Sequence, residues 1–348
     1  MLILIKKYKY DLFFFLIIIF YYLNYFNITS RFFIEGIAVL FSILMLPRFY
    51  LYVYFLILLI QFLFFMHIDA LIGSTSLSTQ LFLFSSLNRA ESCAKNKYFS
   101  FLILMLFVFI GVISFLDYFP YRSISYRSSG IFGSPSIFAV VASAYIIRYI
   151  PSKKNIILLG VSLYFIFLSG SRGGALCLLG YIFSSFFKNF SLKNNIVAIY
   201  VLFVVIFFSD FYSVLSSTRG LNYLETSDTL RFNSFEETVF VLTSNIEYLL
   251  IGYGKFRVGS LGTYFSANDT LVVESSVISF FLSYGISGVF LLYFFLKSIY
   301  TFQKNTKMFI FSICLFLSSL FSVFIDTPSA CCLLAIAISS VQRVPINE

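Results

Sequence analysis

Long apolar runs separated by short polar breaks dominate this chain, and they recur at the length of a membrane crossing. The runs Leu12 to Phe26 and Phe49 to Met66 contain almost no polar residue. A continuous apolar run of roughly 18 residues or more marks a transmembrane helix. Read this way, the pattern predicts about twelve helical spans, at residues 10–28, 32–46, 49–66, 71–88, 98–116, 131–149, 155–169, 173–187, 194–212, 271–296, 308–325 and 327–341. The expected fold is an all-α integral membrane protein, a single polytopic domain over residues 1–348. One connection is long. Residues 211–270 turn polar, with Glu225, Asp228, Arg231, Glu236, Glu237, Glu247, Lys255, Arg257 and Asp269. Within it, Ser227 or Asp228 is placed to cap a helix through Phe232, Phe235, Val239 and Leu242, whose spacing makes one apolar stripe. Such a helix would lie along the membrane surface or cap a cavity, and Gly252-Tyr-Gly254 would end it.

Composition agrees with this pattern. The chain is 60% hydrophobic, 11% charged and lacks Trp, which is too apolar for a soluble domain of 348 residues. Its net charge of +9 is scattered between apolar runs, so it reads as membrane topology and argues against nucleic-acid binding. Lys6, Lys7 and Lys9 precede the first run with no small-residue cleavage site after it, the mark of an uncleaved first span. With the N-terminus inside, the alternating spans put Lys6, Lys7, Lys9, Arg48, Arg89, Lys95, Lys97, Arg148, Lys153, Lys154, Lys188, Lys193, Lys297, Lys304, Lys307 and Arg343 on the cytoplasmic side. The outer segments keep Arg31, Arg122, Arg127, Arg172, Arg219, Arg231, Lys255 and Arg257. These sixteen and eight residues account for all 24 Lys and Arg. Basic residues concentrate on the cytoplasmic side of membrane proteins, so this orientation, with both termini inside, is the expected one.

Arginines carried across the membrane need a reason, and two stand out. Arg172 lies in the turn Leu168-Ser-Gly-Ser-Arg-Gly-Gly-Ala175 between two spans, and Arg231 lies in the long loop. A guanidinium pairs two phosphate oxygens at once and keeps its charge at any relevant pH, which suits a pyrophosphate ligand. Ser169, Ser171 and the backbone N–H groups of Gly173 and Gly174, at the start of the next helix, would extend that anion site. The bland readings stand beside this one. Arg172 would equally serve as an interfacial residue in a tight helix–helix turn, and Arg231 as ordinary loop solvation.

Further along, the outer segments form an ordered set. Arg127-Ser-Ser-Gly-Ile-Phe-Gly-Ser-Pro-Ser-Ile-Phe-Ala139 leads into one span and Ser169-Gly-Ser-Arg-Gly-Gly174 turns between two others. Leu230-Arg-Phe232 is followed by Ile251-Gly-Tyr-Gly254, and Glu274-Ser-Ser heads a span containing Tyr284-Gly-Ile-Ser-Gly288. Over residues 120–296 this order resembles the O-antigen ligase and Wzy-type O-antigen polymerase superfamily of bacterial membrane glycosyltransferases. The resemblance implies packed transmembrane helices around a periplasmic cavity that uses undecaprenyl-pyrophosphate-linked oligosaccharides. It implies an inner-membrane location, a periplasmic long loop carrying short helices, and a polysaccharide chain-length regulator as partner. The family's pyrophosphate-binding arginines map onto Arg172, Arg231 and Arg127. In ligases a His usually stands eleven residues before the glycine matching Gly285; here that position is Glu274. The departure favours polymerases, which often carry a carboxylate there.

Joining two lipid-linked sugars needs a departing pyrophosphate and an activated hydroxyl. Preplaced guanidinium groups stabilise the charge that grows on the leaving oxygen. Glu274, at the head of an otherwise apolar span, is the first candidate base, followed by Asp269 and Asp228; a carboxylate favoured by a helix N-terminus explains Glu274 equally well. No cofactor or metal is called for. His67, with Asp69 two residues on, lacks a spaced partner for a metal. The five Cys have no ligand spacing and read as packing residues. Glu35 lies inside a span with Arg31 one turn earlier, positioned to pair with it. Gly252-Tyr-Gly-Lys255 lacks P-loop spacing. A ligase acting on lipopolysaccharide core and a flippase for the same lipid-linked sugar remain alternatives, although a transporter should show intramembrane charges and pseudo-repeats.

Overall fold

The computed structural model describes residues 2–66, 68–88, 97–118, 130–132, 135–149, 233, 235–258, 273, 275–301, 306–320 and 327–339. These residues are overwhelmingly helical, with no strand among them. In chain order the helices are α1 (Leu2–Tyr25), α2 (Arg31–Met45), α3 (Arg48–Phe65), α4 (Ile68–Ser74), α5 (Leu77–Asn88), α6 (Lys97–Tyr118) and α7 (Pro135–Tyr149). After the helical stretch 235–244 come α8 (Ile246–Ile251), α9 (Ser276–Tyr284), α10 (Ile286–Thr301), α11 (Thr306–Leu320) and α12 (Pro328–Ser339). Short 3₁₀ turns cover Gly130–Phe132 and Lys255–Arg257. These labels number the described helices and are not a count of membrane crossings. The expected spans 155–169, 173–187 and 194–212 lie outside the described residues, as does His67.

Local chemistry sets the breaks. Ser30 caps α2, its hydroxyl accepting the Phe33 N–H at 3.4 Å. Leu46 precedes Pro47 and is forced out of helical geometry, to φ −64° and ψ 133°, so α2 stops and α3 starts afresh. Met66 ends α3 in the left-handed region at φ 46°, its N–H reaching Phe62 O. The expected span 71–88 is two helices. Between them the hydroxyls of Thr75, Ser76, Ser78 and Thr79 donate to the carbonyls of Ile72, Gly73, Thr75 and Ser76. These bonds compete with the helical ladder and turn the chain. The expected span 271–296 is likewise interrupted, at Gly285.

Among the described residues, two helical stretches are by length and composition apolar enough to cross a membrane: α3 and Ile68–Leu87. They differ in surroundings. On α3, Phe49, Tyr52, Phe55, Leu56, Leu59, Phe62 and Leu63 form an exposed apolar face, whereas Leu77 to Leu87 are buried.

The core is built around α12. Every one of its residues is buried, and it packs against α5, α7, α2 and α1. Its Ser, Ala and Cys residues let neighbouring backbones come close. Cys331 and Cys332 are buried thiols outside any disulfide, as is Cys314 on α11, and the Cys331 thiol donates to Thr79 O at 3.3 Å. Both ends of α12 carry matching charge from elsewhere. At its N-terminus, where Pro328 has no N–H to satisfy, Glu35 of α2 accepts the Ser329 N–H at 2.6 Å and the Ser329 hydroxyl at 2.9 Å. At its C-terminus, Arg148 of α7 donates to Ile336 O at 3.2 Å. An anion at the start and a cation at the end suit the helix dipole. Arg148 also binds Asp11 of α1, Nε at 2.8 Å and the terminal nitrogen at 2.5 Å, with both side chains fully buried. Arg148, expected on the cytoplasmic side, is thus a buried ion-pair and capping residue in the last turn of α7.

Candidate functional site

The clearest assembly of segments singled out by sequence lies where the end of the long loop meets α9. Asn245 caps α8 by accepting the Glu247 N–H at 3.0 Å. Gly252 then ends α8 at φ 93°, and Gly254 follows at φ 96°. Side chains rarely adopt this left-handed backbone. The chain is held on both sides: Gln61 of α3 donates from Nε2 to Ile251 O at 2.7 Å, and the Tyr253 N–H donates to Leu282 O at 2.7 Å. A Cβ on Gly252 would meet backbone atoms of Ser283 and Tyr284 at 2.5 Å, and one on Gly285 would meet Gly252 N at 2.6 Å. Ile251-Gly-Tyr-Gly254 and Tyr284-Gly-Ile-Ser-Gly288, separate in sequence, thus interlock backbone to backbone. Gly288 permits a second close approach, since a Cβ there would lie 2.6 Å from Phe280 O.

From this interlock the chain runs back along α9. Lys255 is buried, and its Nζ donates to the Ser279 hydroxyl at 3.1 Å. Ser276, Ser279 and Ser283 form a buried hydroxyl stripe at helical spacing. Ser275 caps α9, its hydroxyl accepting the Ile278 N–H at 3.3 Å and donating to Ser319 O at 3.4 Å. Arg257 is partly buried, with its guanidinium 5.1 Å from the Tyr253 ring centre and 5.9 Å from that of Phe65. Stacking engages the faces of the guanidinium and not its N–H donors. Beneath the turn, Val258, Val273 and Leu282 form a small apolar cluster joined by Val241, Leu242, Tyr253 and Ile278. Two cations spaced two residues apart are thereby fixed on a rigid turn against a serine-lined helix.

A second polar centre surrounds Glu35. Arg31 lies 3.6 Å from the Glu35 carboxylate, so the expected one-turn pair forms. Tyr21 hydrogen-bonds the Ser329 hydroxyl, and Phe132 packs edge-on to Tyr21 with ring centres 4.8 Å apart. The 3₁₀ turn Gly130–Phe132, within the segment that follows Arg127, is therefore seated against α1 near the N-terminus of α12.

The sequence-derived site residues Arg127, Ser169, Ser171, Arg172, Gly173, Gly174, Arg231, Asp269 and Glu274 lie outside the described residues, as do Ser227 and Asp228. Sequence reading missed Lys255, Ser279 and Gln61 as an assembly. Its signals were present: Lys255 directly follows Gly-Tyr-Gly, and the serines of α9 recur at helical spacing. Compared with known proteins, the chain matches no family model, no curated protein and no solved structure.

Proposed function

We propose that this protein is a polysaccharide polymerase of the Wzy type, a membrane glycosyltransferase with about twelve spans in a bacterial inner membrane. In this reading both termini are cytoplasmic and the active face is periplasmic. The substrates are undecaprenyl-pyrophosphate-linked oligosaccharides, and a chain-length regulator is the expected partner. The observation that carries the proposal is the interlock of Gly252 with Gly285, because it joins two motif segments of the resemblance and fixes Lys255 and Arg257 beside α9. The exposed apolar face of α3 supports a membrane setting, since soluble monomers rarely expose such a continuous patch.

In the proposed reaction a hydroxyl of the incoming lipid-linked repeat attacks the anomeric carbon of the growing glycan. The bond from that carbon to the pyrophosphate oxygen breaks, and the lipid pyrophosphate departs with the electron pair. Arg172 and Arg231, with Arg127 and the Ser169 to Gly174 turn, bind the leaving diphosphate. Glu274 accepts the hydroxyl proton, with Asp269 as the alternative. Lys255 and Arg257 add positive charge on the same loop.

Gene deletion followed by glycolipid electrophoresis tests this directly. The expected result is a single repeat attached to lipopolysaccharide core. Bare core with accumulated lipid-linked polymer would instead make the protein a ligase, and bare core without polymer a flippase.

A further inference from the structure

We infer that the helical pair formed by residues 235–244 and α8 is inserted into the outer-leaflet acyl chains of the bilayer, rather than standing in water as part of a soluble loop. The inference rests on the reading that this chain spans a membrane, and goes beyond it by assigning a lipid-binding surface to the long connection. One side of the pair grips the protein. Thr238 is buried, Val241 and Leu242 pack on Val258, Val273 and Leu282, and α8 contacts α3, α9 and α10. The other side is largely apolar: Phe235, Val239, Phe240, Ile246, Leu249 and Leu250 are exposed, Phe240 and Ile246 by 72% each, beside the exposed Glu236, Glu237, Thr243, Ser244 and Glu247.

Three further observations select lipid as the occupant. First, this surface continues that of its neighbours. Ile251 is bonded to Gln61, which the exposed Phe62 and Leu63 of α3 directly follow, while Leu249 and Leu250 flank Gly285 beside the exposed Ile286, Val289 and Phe290. Second, the hydroxyls of the exposed Thr243 and Ser244 bond back to their own helix, donating to Val239 O at 2.7 Å and Val241 O at 2.8 Å. Such self-satisfaction suits hydroxyls in an apolar phase. Third, residues 233–254 carry Glu236, Glu237 and Glu247 and no Lys or Arg. An acidic segment gains nothing from anionic headgroups, so its attachment is apolar and insensitive to salt. The carboxylates occupy the headgroup level while the aromatic and aliphatic side chains reach below it. Because Gly252 and Gly285 interlock directly behind α8, the depth of insertion is fixed by backbone contact.

The absence of Trp from the chain makes the test clean. Phe240→Trp and Leu249→Trp, each introducing a unique fluorophore at an exposed position, are reconstituted in nanodiscs containing phospholipid brominated along the acyl chain. Phe55→Trp on α3 is the reference. The expected result is that all three lose most of their emission to brominated lipid and resist aqueous acrylamide, at both low and high salt. Quenching of the loop Trp variants by acrylamide but not by brominated lipid, with Phe55→Trp quenched by lipid, overturns the inference while leaving the membrane reading intact. Protection from both quenchers means that protein covers this face and also overturns it. Failure of brominated lipid to quench Phe55→Trp sinks the membrane reading and the inference together.

Discussion

The Asp11–Arg148 pair offers the most demanding test of the packing described above. Both side chains are fully buried, and Arg148 reaches the Asp11 carboxylate through two nitrogens while also donating to Ile336 O. Opposite charges about 4 Å apart, centre to centre, attract by about 4 kcal/mol at an effective dielectric near 20. Arg148→Met removes the cation and leaves the Asp11 carboxylate in the core. Breaking a buried pair from one side typically costs about 3–5 kcal/mol, most of it the penalty of the stranded charge. Asp11→Leu should cost a similar amount by stranding the guanidinium. The double variant strands neither and chiefly loses the hydrogen bond to Ile336, about 1 kcal/mol. It should therefore be more stable than either single variant. Reversible unfolding in mixed micelles, followed by circular dichroism, supplies the three differences for a double-mutant cycle. If the double variant loses the sum of the two single losses, the charges are not coupled and the reasoning fails.

Other outcomes follow from the same contacts. Gly285→Ala places a Cβ 2.6 Å from Gly252 N at φ 55°, so about 1–3 kcal/mol of strain should loosen the interlock; trypsin should then cut at Lys255, which is buried in the parent protein, faster than it does in the parent. Glu35→Gln keeps an acceptor for the Ser329 N–H and should lower the melting temperature less than Glu35→Leu, which leaves that buried donor unmade at about 1–3 kcal/mol. Under the proposed function, Arg172→Ala and Arg231→Ala should each reduce chain extension by about a hundred- to a thousandfold, read as loss of the long glycan ladder at normal protein levels. Glu274→Gln should abolish extension as well; full activity would move the base to Asp269.

Helical periodicity carried the fold a long way. The limits of α2, α3 and α6 lie within a residue or two of the runs that announced them. What the runs did not announce has specific causes. At 71–88 the run was broken by hydroxyls bonding to nearby carbonyls, which an average of hydropathy does not register. At 271–296 the break depends on Gly252, some thirty residues earlier in sequence, so no local pattern could locate it. Arg148 stands at the end of a run, and its partner Asp11 lies 137 residues away, so the pair itself was not foreseen. Long-range pairing of single charges leaves no periodic trace. The pairing of Arg31 with Glu35 was legible because both partners sit on one helix, one turn apart. The motif segments at 251–254 and 284–288 were picked out separately; that they touch is a fact of three-dimensional packing.

The position of α12 also dictates an order of events during synthesis. Its partners α1, α2, α5 and α7 lie within residues 2–149, whereas the helix that fills the space between them begins at Pro328. At ribosomal speeds of about 5–20 residues per second, the early helices wait on the order of ten seconds or longer for it. Throughout that interval Glu35 has no Ser329 to hold and Arg148 has no Ile336 to cap. The first half of the chain is thus committed to a groove shaped for a tenant not yet translated, and a ribosome that stalls before Pro328 releases a hollow bundle.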